Sequence, residues 1–301
     1  MTARVRPGWM RQQERSNTAI LKLMVWISLT FGRGLGRLVL HGIALYFSLF
    51  SPQARRASQA YLARALGRPA RWRDGYRHVF SFASTIHDRV YLLNDRFDAF
   101  DIEVSGAHHL DQALLQQKGA LLVGAHLGSF EVLRSVGRSH TGLHVAMLMY
   151  EENARKINAA LAAINPKAVQ DIIRLGRPES LLEVRDRLDD GYLVGILADR
   201  SLGGDAQLEV PFLGEPAAFP LGPWRMAAML RRPVFFMTGL YLGGNRYQIH
   251  LEPLADFSET SRGERDPAIE QAVRRYADLL TRFCRQAPYN WFNFFDFWQK
   301  K

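Results

Sequence analysis

The sequence predicts an α/β fold, a mixed sheet flanked by helices, entered through a basic and apolar helical segment at the N-terminus. Three observations predict it. From Phe100 onward, short apolar runs alternate with amphipathic segments, which is how strands and helices read in turn. Two of the later runs are joined by Gly243-Gly244-Asn245, a turn signal that makes one strand pair an antiparallel hairpin. Ahead of Phe100 the apolar positions follow a helical period, and two unusually apolar stretches stand among arginines. The chain has 301 residues, 48% hydrophobic and 23% charged. That is enough for a large core, and it excludes a disordered chain, a collagen and a polytopic membrane protein.

The elements follow in order. Ala19–Phe31 and Leu38–Phe50 are apolar runs of 13 residues, with Lys22 the sole charge inside them. Each is short of the roughly 20 residues that cross a bilayer as a helix. One imperfect spanning helix, two helices lying in the interface and two buried core helices all remain open. Gly32 and Gly36 make a short G-x-x-x-G match. The first run begins late and has no small-residue cleavage site close behind it, so a cleaved signal peptide is not expected. Up to Arg73 the chain carries thirteen Lys and Arg against Glu14 alone, whereas the net charge of the whole is +10. The remainder is therefore slightly acidic. Positive charge gathered beside the most apolar segment suits an anionic membrane surface, not a nucleic acid. Two units result: residues 1–50, a basic, apolar, membrane-associated segment, and residues 51–301, an α/β domain with a helical lead-in over 51–100.

Arg55–Leu93 is predicted helical, interrupted at Gly67–Trp72. Ala120–Gly124, His144–Tyr150, Tyr192–Ala198, Val234–Leu242 and Arg246–Leu254 are predicted strands. Ser129–Val136, Glu151–Ile164, Glu179–Asp189, Leu221–Leu230 and the long Asp266–Gln286 are predicted helices.

The motif that carries chemistry is Gly124-Ala125-His126-Leu127-Gly128-Ser129-Phe130-Glu131. It follows a buried strand and opens a helix, and in such sheets sites collect beyond the carboxyl ends of strands. With Glu131 in the first helical turn, its carboxylate can accept from one nitrogen of His126, fixing the tautomer and leaving the other nitrogen as a general base. The helix N-terminus adds donors for developing negative charge. The plainer alternative is a histidine that caps the helix. Other chemistries are weaker. No G-x-S-x-G, H-E-x-x-H, Walker loop or dinucleotide fingerprint occurs. Cys284, the one cysteine, lies in the closing helix without a neighbouring His, which excludes a disulfide framework and a thiolate zinc site. No metal and no redox cofactor is expected.

His126 to Glu131 resembles the His-x4-Asp/Glu block of the lysophospholipid acyltransferase superfamily. Four stretches narrow the resemblance to the lipid A biosynthesis (lauroyl/myristoyl-type) acyltransferases and their relatives. They are Gly124–Arg134, Leu197-Ala198-Asp199-Arg200, Val210–Pro216 and the tail Pro288–Trp298, where seven of eleven residues are aromatic. With the N-terminus, the likeness covers almost the whole chain. It implies an acyltransferase fold and transfer of a fatty acyl group from an acyl-carrier-protein or CoA thioester to a hydroxyl of a lipid or glycolipid. The implied setting is the cytoplasmic face of a bacterial inner membrane. Phe212-Leu213-Gly214 stands where those enzymes more often pair two phenylalanines, and the tail is less basic than theirs. This chain is in that respect more similar to relatives associated with aryl-polyene and other glycolipid assembly.

On this resemblance His126 is the base and Glu131 its orienting partner. Arg200 holds a phosphate or the thioester oxygen with Asp199 orienting it, unless the two form a structural ion pair. Arg155 is the other candidate for the oxyanion contact. Phe212, Leu213 and Gly214 wall an acyl tunnel or form a packed loop. The aromatic tail packs in the core or seats at the membrane interface. A thioesterase or lipase using the same dyad on water, and a non-catalytic lipid-binding relative, are the rival functions.

Overall fold

The computed structural model describes residues 18–110, 119–133, 144–150, 159, 161–162, 164–165, 171–176, 179–200 and 205–298, with side chains from Val25 onward. Helix α1 spans Thr18–Phe50 and carries both apolar runs. It is kinked at Gly32, whose φ of 83° and ψ of 170° only glycine adopts readily. Ser28, Gly36, Leu40, Ala44 and Ser48 form a buried stripe, every four residues from Gly36 onward, and α1 packs on α3. Helix α2 (Pro52–Leu66) starts on a proline and stops at Gly67 in the left-handed region. Helix α3 (Trp72–Leu92) starts where the Asp74 carboxylate accepts from the Arg71 amide at 2.8 Å. The break expected at Gly67–Trp72 is thus a helix–turn–helix.

Among the described residues the sheet has seven strands, in the order β1-β9-β8-β2-β5-β3-β4. Its members are β1 (Asp101–Ser105), β2 (Ala120–Gly124), β3 (Val145–Tyr150), β4 (Ile172–Leu175), β5 (Leu193–Leu197), β8 (Pro233–Gly243) and β9 (Arg246–Asp256). The strands β6 (Gln207–Phe212) and β7 (Glu215–Pro220) form a separate hairpin. Strands β8, β2, β5, β3 and β4 run parallel; β9 is antiparallel to β8, and β1 is parallel to β9. The sheet is mixed, as the sequence predicts. Helices α4 (Ser180–Asp189), α5 (Gly222–Leu230) and α6 (Arg265–Gln286) follow among the described residues.

β2 is buried on both faces, which explains its unbroken apolar run. Leu121 and Val123 enter a core with α2, α5, α6 and the β6–β7 hairpin, and Ala120 and Leu122 enter one with α3, β8 and β9. Two readings change. Val210–Pro216 is a hairpin whose turn, Leu213-Gly214, has both residues at positive φ (53° and 91°), and is not a loop. Strands β1 and β4 were not anticipated: β1 is mostly exposed and β4 has four residues, so neither shows an apolar run. Among the described residues no single helix is long and apolar enough to cross a membrane. One bent pair, Val25–Phe50 with Pro52–Leu66 at 95°, passes that test by length and composition.

Candidate active site

Strands β2 and β5 are neighbours with Gly124 opposite Leu197. Two residues beyond each partner stand His126 and Asp199, so the register itself brings these side chains together. The imidazole Nδ1 lies 2.8 Å from Asp199 Oδ1, and the His126 amide donates to Oδ2 at 3.1 Å. Oδ2 also accepts from the Trp291 indole N–H (3.1 Å) and from Asn293 Nδ2 (3.0 Å). The Asp199 side chain is wholly buried, whereas 30% of the imidazole surface is open.

Charge follows from these contacts. Burial opposes ionisation of Asp199, but the His126 imidazole and the Arg200 guanidinium outweigh it and hold the carboxyl far below the usual carboxylate range. An ionised acceptor requires Nδ1 to carry the proton, so Nε2 keeps its lone pair. Nε2 has no hydrogen-bond partner among the described residues. Burial, then the charge of Arg200, push His126 below 6.5, and Asp199 only partly offsets them. The ring is therefore neutral at pH 7, with a basic nitrogen facing outward.

The backbone around His126 is fixed from three sides. Tyr276 of α6 donates to the Gly124 carbonyl at 2.9 Å, and Thr238 of β8 donates to the Leu127 carbonyl at 2.9 Å. The tail pairs with the loop as a short strand: Phe292 N donates to His126 O (2.7 Å) and Gly128 N to Asn290 O (2.9 Å). Asn290 is itself tied to both backbone groups of Tyr241. Gly128, at φ 75°, packs so closely on Gly239 that a Cβ would stand 2.1 Å from its carbonyl oxygen. The Ser129 amide donates to the same oxygen at 2.7 Å. The amides of Gly128 and Ser129 are thus committed to the protein, and developing charge on a substrate must find other donors.

Behind the tail lies a group that sequence reasoning missed. His78 of α3 is fully buried, bonded to the Trp291 carbonyl at 2.8 Å and to Ser58 Oγ at 2.8 Å. No sequence signal marked it, because its partners are 20 and 213 residues away.

A model of the family "Bacterial lipid A biosynthesis acyltransferase" matches residues 13–300. The chain belongs to that family. Among curated proteins, none matches the chain. As a lipid A biosynthesis acyltransferase the protein is an enzyme that transfers an acyl group to a lipid acceptor. The match includes α1 to α3 and the aromatic tail as well as the sheet.

Several expectations about this acyltransferase change. The carboxylate on the imidazole is Asp199 and not Glu131: the strand register delivers Asp199 to Nδ1, and no hydrogen bond joins His126 to Glu131 among the described residues. Glu131 is buried in the first turn of the next helix, 4% exposed. Asp199 does not orient Arg200 directly. Asn293 stands between them, accepting from Arg200 Nε at 2.7 Å, and Arg200 also donates to the Phe292 carbonyl at 3.2 Å. Burial pulls the guanidinium down to about 10 against the charge of Asp199, so it stays cationic at neutral pH. Arg155 lies outside the described residues.

Phe212 is buried against Trp291, Phe219, Phe297 and Trp298, so it backs the wall that carries Trp291. Gly214 lies in the hairpin turn next to it. Of the tail, Trp291 and Phe292 are buried (0% and 8% exposed), Tyr289, Phe297 and Trp298 pack partly buried against the core, and Phe294 and Phe295 are half-buried. Burial drives the Cys284 thiol well above its ordinary range, which leaves it unreactive. Among the described residues no group of His, Cys, Asp and Glu is placed to hold a metal ion.

Proposed function

We propose that this enzyme moves a fatty acyl group from a carrier-protein or CoA thioester to a hydroxyl of a lipid or glycolipid, with His126 as general base. The observation that carries the reading is the Nδ1–Asp199 bond of 2.8 Å, which leaves Nε2 outward and unprotonated. Nε2 takes the hydroxyl proton as that oxygen attacks the thioester carbon. Asp199 holds the tautomer and offsets the charge that forms on the ring. Collapse of the tetrahedral centre expels the thiolate, which leaves as thiol with the proton from His126. A positioned base supplies about 10²–10⁴ in rate, and positioning with charge stabilisation supplies the rest. Arg200, whose charge acts on both members of the pair, is assigned the oxyanion or a phosphate. Glu131, buried at a helix N-terminus, is assigned the lesser role of a second carboxylate supporting the imidazolium.

The enzyme is proposed to work on the cytoplasmic face of a bacterial inner membrane. Support comes from α1, whose outward side carries Trp26, Leu29, Phe31, Leu38, Phe47 and Phe50, with Leu38 66% and Phe50 64% exposed. Apolar area of this kind is worth roughly 25 cal/mol per Å² when buried in lipid. The acidic acyl-carrier protein fits the basic N-terminal half as donor. The test is to incubate purified enzyme with acyl-carrier-protein or CoA thioester and membrane lipid extract, and to follow products by mass spectrometry. Acylated lipid supports transfer. Free fatty acid as the sole product would establish the hydrolase instead. Flotation with anionic vesicles, which high salt reduces only in part, checks the membrane reading.

A further inference from the structure

We infer that Asn293 is a positioning residue that keeps the charges of Asp199 and Arg200 apart, so that the first serves His126 and the second serves negative charge on the substrate. The inference rests on His126 as base, and goes beyond it by giving the tail a part in the reaction.

The geometry is specific. Asn293 is 1% exposed, and both ends of its amide are used. Nδ2 donates to Asp199 Oδ2 at 3.0 Å, and Oδ1 accepts from Arg200 Nε at 2.7 Å. Only this orientation of the amide suits the site, because a flipped one would face oxygen to carboxylate and nitrogen to guanidinium. The Asn293 amide N–H donates to the Trp291 carbonyl at 2.9 Å, so the side chain stands on a fixed backbone.

A spacer is needed because Asp199 and Arg200 are adjacent in sequence and both substantially enclosed. Two such charges at low dielectric favour a direct bidentate pair. That pair would draw Asp199 off Nδ1 and would quench Arg200. A carboxamide satisfies both ions without adding charge. Its neighbours hold the separation: Trp291 Nε1 occupies Oδ2 of Asp199, and Phe292 O and the Phe295 ring, 5.4 Å away, seat the guanidinium.

Among the described residues, other ionisable groups near the pair are held neutral or lie on other elements. Tyr276 and Cys284 of α6 feel the charge of Asp199 and are kept neutral by burial. His78 of α3 and Tyr61 of α2 meet the Trp291 backbone or ring and are also kept neutral. Glu131 lies in the helix that follows His126. Arg200 and Asp199 are the described charges that Asn293 touches, so a change at residue 293 acts on them.

The experiment titrates His126 by NMR in the full-length protein in detergent, its signal identified by its loss in His126→Gln. In Asn293→Asp the new carboxylate captures Arg200 and adds negative charge, so the His126 midpoint rises by about one pH unit. In Asn293→Leu the spacer bonds are gone and Arg200 closes on Asp199. The midpoint then falls, and acyl transfer drops more than about tenfold in kcat with donor KM little changed. Opposite shifts in folded variants support the inference. Midpoints that stay at the native value, or move in one direction together, overturn it. Where Asn293→Asp does not fold, the neutral leucine variant decides alone. Full acyl transfer by His126→Ala removes the reading of the base; loss there with unmoved titrations overturns the role of Asn293 alone.

Discussion

His78 Nε2 stands 2.8 Å from the carbonyl oxygen of Trp291, the residue whose indole N–H supports Asp199. A carbonyl can only accept, so Nε2 carries the proton and Nδ1 accepts from Ser58 Oγ. Burial lowers His78 to about 4, and the Trp291 bond only partly opposes this. The ring thus stays neutral in the folded chain at pH values where the unfolded chain would protonate it. Its folded pKa is below its unfolded one, so stability is complete above about pH 6.5 and is lost as pH falls from there to about 4. The loss is of order 3 kcal/mol. His78→Gln should be less stable at pH 7 by about 1–3 kcal/mol, with a shallower decline on acidification. Denaturation midpoints at several pH values check both.

Asp199→Asn should reduce acyl transfer by about 10²–10⁴ with the fold intact, since an amide facing Nδ1 no longer dictates the tautomer. Glu131→Gln should cost less, because no hydrogen bond joins Glu131 to the imidazole among the described residues. Initial rates of the two variants beside His126→Ala give the order. A larger defect in Glu131→Gln would reverse the roles assigned to the two carboxylates.

The rate should fall on acidification through a midpoint below 6.5, because burial and Arg200 both depress His126. Arg200→Met removes one of those two causes, so the acid limb should move up in pH. The profile of kcat/KM for the free enzyme reads this directly.

Gly128→Ala should cost about 3 kcal/mol or more. The position combines φ 75° with a Cβ only 2.1 Å from the Gly239 carbonyl oxygen, and neither backbone can yield without shifting β8. Thermal unfolding of the variant checks it. Gly214→Ala should be milder, since nothing lies within 4 Å of its Cβ position, although its φ is also positive.

Arg33 forks onto Asp88 at 2.7 and 2.8 Å, and Tyr247 donates to the same carboxylate at 2.7 Å. Asp88 has no exposed side-chain surface. Arg33→Met should therefore destabilise by about 3–5 kcal/mol, because it leaves a buried carboxylate without its counter-charge. It should also loosen α1 from α3. Faster proteolysis within α1, relative to α6, is the readout.

The sequence made the sheet legible where strands are buried on both faces. β2 matches Ala120–Gly124 to the residue, and the Gly243-Gly244-Asn245 turn does join β8 to β9. It hid β1 and β4, whose short or exposed runs lack that signal. His126 could be found because its motif is local. Its link to Asp199 could not, since it depends on which strands are neighbours: β5 lies between β2 and β3, and chain order does not say so. The tail showed only as aromatic, and the polar atoms of Trp291 and Asn293 that matter to Asp199 were invisible among the rings.

Two donors to Asp199 come from residues 92 and 94 positions further along the chain. Synthesis runs from the N-terminus, so α1 and every described strand of the sheet are made before Trp291 and Asn293. During that interval His126 and Asp199 can already meet, but the carboxylate lacks two of its three side-chain donors and Arg200 lacks its seat. Assembly of the sheet and completion of the site are therefore separate events in time, and a nascent chain would remain inert until its tail closes over the carboxyl ends of β2 and β5.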